Sequence, residues 1–118
     1  MEFFLNDPEI PRLPPEQTRL LDLRAEPYPD GQRLRVALDL TPFKARPYIE
    51  LKLTDDRGVE AATASIVEPM AWKLELTLHI RNAITPGGKY TLLASLSYPD
   101  LGEVDRRQIS LEVSDPTE

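Results

Sequence analysis

In the stretch from Ala71 to Arg81, Trp72, Leu74, Leu76, Leu78 and Ile80 alternate with Lys73, Glu75, Thr77, His79 and Arg81. An extended strand sends successive side chains to opposite faces, so this order gives one apolar face and one polar face. Wound as a helix, the same residues would point to opposite sides of the cylinder. The segment is therefore read as a strand, and as the one around which the chain is organised. Each apolar side chain it buries contributes roughly 1.5 to 3 kcal/mol before entropy is charged, so the rest of the chain must supply a matching apolar surface.

Six further segments supply it. Thr18 to Glu26 is the first strand, and Gln32 to Thr41 is the second, with Leu34, Val36, Leu38 and Leu40 turned inward. Tyr48 to Thr54 directs Ile49, Leu51 and Leu53 the same way. Val59 to Val67 carries Ala61, Ala62 and Ala64, which would also suit a helical turn, but Thr63, Ser65, Ile66 and Val67 favour a strand. After the Trp72 segment come Lys89 to Tyr98 and Val104 to Val113, the latter with Ile109, Leu111 and Val113 inward. Turn signals separate them, including Pro29-Asp30-Gly31, Asp55-Asp56-Arg57-Gly58 and Pro86-Gly87-Gly88. Short strands with a turn at this spacing predict an all-β fold, a seven-stranded antiparallel sandwich of two sheets.

The first 17 residues hold Pro8, Pro11, Pro14 and Pro15 and read as an extended arm before a sandwich domain over residues 18–113, with a polar tail at 114–118. Phe3, Phe4 and Leu5 are the most apolar run outside the strands. They either cover an end of their own domain or dock on a second copy as a self-association arm.

Thr85-Pro86-Gly87-Gly88-Lys89-Tyr90-Thr91-Leu92 resembles the motif that opens the sixth strand of many bacterial immunoglobulin-like and fibronectin type III-like domains. The resemblance implies that Tyr90 forms a corner, its hydroxyl bonding to the backbone just upstream. The sequence departs from antibody-type domains in lacking the paired cysteines and in carrying Trp72 on the fifth strand instead of the third. Domains of this type serve many ends, so the resemblance implies a fold and no particular function.

Composition narrows the chemistry. The 118 residues suit one core, and 20 acidic residues against 14 basic give a net charge of -6, unfavourable for nucleic acid or an anionic membrane. The absence of cysteine excludes disulfides and thiolate metal sites, and neither a signal-like leader nor a membrane-length apolar run is found, so a cytoplasmic protein is expected. His79, the single histidine, lies on the polar face of its strand and is read as solvated, with Ser95, Ser97 and Asp39 the conceivable triad partners. Asp30, Asp55 and Asp56 could gather as oxygen ligands for calcium, but turn formation accounts for them. No metal, cofactor or catalytic residue is assigned.

In a seven-stranded sandwich the second, fourth and sixth connections meet at one end. They carry Phe43, Lys44, Arg46, Pro69, Met70, Tyr98, Pro99 and Leu101, a composition suited to a binding surface. The alternative reading folds Phe43, Met70 and Leu101 inward as a plug closing the core. The expected function is a non-enzymatic protein interaction or assembly module acting through Phe43, Arg46, Met70, Tyr98 and Leu101, its partner unidentified and homo-oligomer formation open. The alternative is an accessory domain binding carbohydrate or another small ligand, with Tyr48, Trp72 or Tyr98 as a stacking platform.

Overall fold

The computed structural model describes residues 11–80 and 88–113. They form seven strands: β1 (Leu20–Pro27), β2 (Arg33–Leu40), β3 (Tyr48–Asp55), β4 (Glu60–Val67), β5 (Lys73–His79), β6 (Gly88–Tyr98) and β7 (Gly102–Val113). Each coincides with an expected strand to within about two residues at either end, including β4, which is a strand and not a helical turn. One sheet has the order β1-β2-β5 and the other β4-β3-β6-β7, and every pairing is antiparallel. The fold is thus an all-β, two-sheet sandwich.

Alternation does what it promised. Leu34, Val36 and Leu38 of β2 are 0% exposed and face Ile49, Leu51, Leu53, Leu92, Ala94 and Leu96 of the other sheet. The opposite faces hold the charges and hydroxyls. The turn after β3 closes as expected, with Gly58 at φ 82° and Asp55 accepting backbone hydrogen bonds from Arg57 and Val59 at 2.9 Å.

The position of β5 is a correction. It is an edge strand, paired with β2 alone among the described residues, and the centre of its sheet is β2. Trp72, Leu74, Leu76, Leu78 and Ile80 do share the inner face, but Leu74 and Leu76 are only half-buried, since no further strand among the described residues pairs with β5 on its second side.

The described part of the arm packs on the sandwich. Leu13 forms a parallel bridge with Phe43, its N–H donating to the Pro42 carbonyl at 3.0 Å while Lys44 donates to its own carbonyl at 2.9 Å. Pro15–Gln17 then make one 3-10 turn before β1. Phe3, Phe4 and Leu5 lie outside the described residues.

Candidate functional site

The end of the sandwich where the sequence gathers its unusual side chains is built on a hydrogen-bonded knot. The Tyr98 hydroxyl, at the end of β6, donates to the Ala45 carbonyl at 2.8 Å and lies 3.1 Å from the Thr18 hydroxyl. Thr18, itself fully buried, donates to the Pro14 carbonyl at 3.0 Å. One phenol therefore ties together the arm, the β2–β3 connection and β6. Burial pushes the Tyr98 hydroxyl above its usual pKa, with the Thr18 bond opposing the shift, so it stays a neutral donor at physiological pH.

Beside this knot lies a cleft of about 410 Å³ whose lining includes Tyr98, Pro15, Pro99, Arg46, Tyr48, Glu68 and Leu101. Leu101 is 45% exposed, held in place by a turn in which its N–H donates to the Tyr98 carbonyl at 3.1 Å. Arg46 is exposed and makes no ion pair among the described residues. Glu16, Glu68 and Asp100 set three carboxylates against its one guanidinium.

Glu68 sits at φ 51°, the left-handed region that a non-glycine residue enters at a cost of about 1 to 2 kcal/mol. Its N–H donates to the carbonyl of buried Pro47 at 3.0 Å, which fixes the conformation. No local sequence signal marks this position, since Gly or Asn would be the expected occupant.

Of the residues expected to form a binding surface, Arg46, Tyr98 and Leu101 line this cleft. Phe43 does not: it is 2% exposed and packs edge-on against Trp72, ring centroids 6.5 Å apart at 81°. It is the plug of the two readings, placed inward because the Leu13 bridge holds its backbone against the arm. Met70 is 67% exposed but stands outside the cleft lining. Trp72 is 5% exposed and Tyr98 is covered, so neither offers a face for stacking, and Tyr48 is half-buried. Tyr98 is in phase with Leu92, Ala94 and Leu96 along its strand, so alternation places it inward, and the structure buries it beside the cleft.

The other candidates separate. His79 lies on the outer face of the β1-β2-β5 sheet, whereas Ser95 and Ser97 lie on the outer face of the second sheet, where Ser95 donates to Glu103 at 3.0 Å. Asp30 is occupied by the Gln32 backbone and the Arg33 guanidinium, at 2.9 and 2.8 Å, and Asp55 by its own turn and Arg57. No cluster of three or more potential metal-ligating side chains occurs among the described residues. Tyr90 is buried in the core, and the upstream backbone to which its corner bond is expected lies outside the described residues. Among the described residues no helix is long and apolar enough to cross a membrane.

No protein-family model matches the sequence, and no curated protein matches it. Solved structures do match in shape. A β-glucuronidase from Ruminococcus gnavus, in complex with D-glucuronic acid, aligns over 82% of this chain and 16% of its own, with a TM-score of 0.57 and 16% identity. A glycosyl hydrolase family 2 member from Bacteroides cellulosilyticus aligns over 81% and 15%, with a TM-score of 0.60 and 12% identity. A Lactobacillus rhamnosus β-glucuronidase aligns over 82% and 16%, at 0.57 and 21% identity. The chain spans about one sixth of each of these enzymes, and at such identities the likeness is one of fold: it matches a β-sandwich portion of much larger proteins.

Proposed function

We propose that the chain is a cytoplasmic, non-catalytic interaction or assembly module of immunoglobulin-like or fibronectin-like type, and that it contacts its partner through the end cleft. The sheet orders β1-β2-β5 and β4-β3-β6-β7 support that strand arrangement. The observation that carries the function is an exposed Leu101 and an exposed Arg46 lining one cleft with the buried Tyr98. A cleft that sets a few polar groups among apolar ones is the usual form of a recognition site. Three carboxylates around it favour a partner segment that inserts an apolar side chain flanked by Lys or Arg.

Affinity capture from an extract of the source organism, with the wild-type chain and a Glu68→Lys, Leu101→Lys variant, tests this reading. A protein retained by the first and lost by the second supports it. Retention of the same proteins by both contradicts it.

The second reading is an accessory domain of a carbohydrate-processing system, favoured by the likeness to portions of glycosyl hydrolase family 2 enzymes. With Trp72 and Tyr98 covered, half-buried Tyr48 is the aromatic left at the cleft to meet a sugar. An NMR titration with glucuronic acid and oligosaccharides discriminates the two. Shifts confined to Tyr48, Glu68 and Leu101 favour this second reading, and an unchanged spectrum removes it.

A further inference from the structure

We infer that residues 12–17 are a strap that forms one wall of the end cleft and unlatches while the sandwich stays folded, so that the cleft is complete only when the strap is down. Pro15 and Glu16, two of the residues lining the cleft, belong to this segment. Arg46, Glu68 and Leu101 come instead from the connections that join the strands. Lifting the strap therefore removes one side of the cleft and leaves the other standing.

What holds the strap is separable from what holds the sandwich. None of residues 11–17 is fully buried, so releasing them exposes little apolar surface and forfeits little of the hydrophobic stabilisation. Pro14 and Pro15 have no N–H, so the segment cannot run on as a ladder beside a neighbouring strand. Its attachment comes down to a few hydrogen bonds. Leu13 makes two with the β2–β3 connection, donating to the Pro42 carbonyl at 3.0 Å and accepting from the Lys44 N–H at 2.9 Å. The Arg19 guanidinium donates to the Glu16 carbonyl at 2.9 Å, and the Thr18 hydroxyl to the Pro14 carbonyl at 3.0 Å. Each such bond is a modest net gain, opposed by the backbone freedom that release restores, and a segment held this way opens more readily than a core strand.

The latch is the Tyr98 hydroxyl. It donates to the Ala45 carbonyl at 2.8 Å, beside the Lys44 that bonds Leu13, and it stands 3.1 Å from the Thr18 hydroxyl that bonds Pro14. Thr18 is fully buried and fixed to the sandwich, so it is the root from which the strap lifts. One phenol thus braces both anchor points. The regulatory consequence rests on the reading of the cleft as a contact site: a partner seated against Pro15 or Glu16 binds the latched form and holds the strap down, and whatever draws the strap away weakens the partner by the fraction unlatched.

Native-state hydrogen exchange of the full chain, followed from zero to moderate urea, tests the inference. The amides of Leu13 and Lys44, which join strap and connection, should exchange at least about tenfold faster than those of β3 and β6, with rates that barely change with urea because little surface opens. Thr18→Val and Tyr98→Phe each remove a hydroxyl from the latch and keep the side chain's bulk. Each should speed the Leu13 and Lys44 amides by about a further tenfold, with the same flat dependence on urea. Leu13 and Lys44 amides that exchange as slowly as β3, with the steep urea dependence of global unfolding, overturn the inference in the wild-type chain alone, whether or not a variant folds. Rates unmoved in both variants overturn the latch. These rates are read without a partner, so a capture experiment that removes the contact reading leaves them as they are, and the two failures are told apart.

Discussion

The two lateral sides of the sandwich, where an edge of one sheet meets an edge of the other, are closed by opposite means. On the β1/β7 side a carboxylate crosses the gap, Asp105 accepting from the Leu20 amide at 2.8 Å, and Arg107 lies near enough to help lower the pKa of Asp22. On the β4/β5 side no hydrogen bond crosses among the described residues, and Ala64, Ile66, Leu74 and Leu76 are left half-covered. The lesson is that one set of alternating strands makes a polar, self-contained seam and an apolar, unfinished one. The difference lies in which residues occupy the last inward positions before each edge.

The comparison breaks most readily in the middle, where both sides depend on β2. Leu38→Ala removes a fully buried side chain and should cost about 2 to 5 kcal/mol, whereas Leu74→Ala on the half-covered β5 should cost about 1 kcal/mol or less. Urea unfolding followed by the fluorescence of buried Trp72 measures both, and equal losses would mean that the seam is as closed as the centre.

The next effect belongs to the polar seam. Asp105→Ala leaves the Leu20 amide without its acceptor and should cost about 1 to 3 kcal/mol, with faster amide exchange in β1 and little change in β4 or β5. At the end of the sandwich, Glu68→Gly should stabilise by about 0.5 to 1 kcal/mol, since it relieves a left-handed residue without removing a core contact. A loss of stability there would mean that the Glu68 side chain contributes more than its backbone costs.

The smallest effect is acid sensitivity. Asp22, Asp55 and Glu103 have pKa values lowered chiefly by side-chain hydrogen bonds from Arg24, Arg57 and Arg106, and Asp30 chiefly by the Gln32 backbone. A carboxylate whose folded pKa lies below its unfolded value stabilises the fold fully above the unfolded value and loses that contribution as pH falls through the folded one. Unperturbed values are 3.8 for Asp and 4.5 for Glu, so a shallow decline in melting temperature is expected below about pH 4. These pairs are solvent-exposed and the decline is correspondingly small. Asp22→Asn with Glu103→Gln should flatten it, because those two flank the polar seam.

Much of this was legible in the sequence because a strand with one buried face writes its pattern at period two. The seven strands follow from that pattern, and the gathering of Arg46, Tyr98 and Leu101 at one end follows once the strands are ordered as a two-sheet sandwich. Alternation assigns a face but not a neighbour, which is why β5 read as the central strand when it is an edge. Alternation also does not forbid a charge at an inward position: Arg107 shares the phase of Ile109, Leu111 and Val113 and stands opposite Ala94, yet at the sheet edge it stays exposed. The Tyr98 knot depends on residues up to 80 positions apart, and the left-handed Glu68 on a carbonyl across a connection. Neither leaves a local signature.

Residue-resolved hydrogen exchange along β5 tests the central contrast between a finished and an unfinished edge. Leu74, Leu76 and Leu78, whose amides face β2, should exchange slowly, while Lys73, Glu75 and Thr77 should exchange quickly. Rapid exchange of all three leucines would contradict the pairing with β2. Protected odd-numbered amides would contradict the open edge.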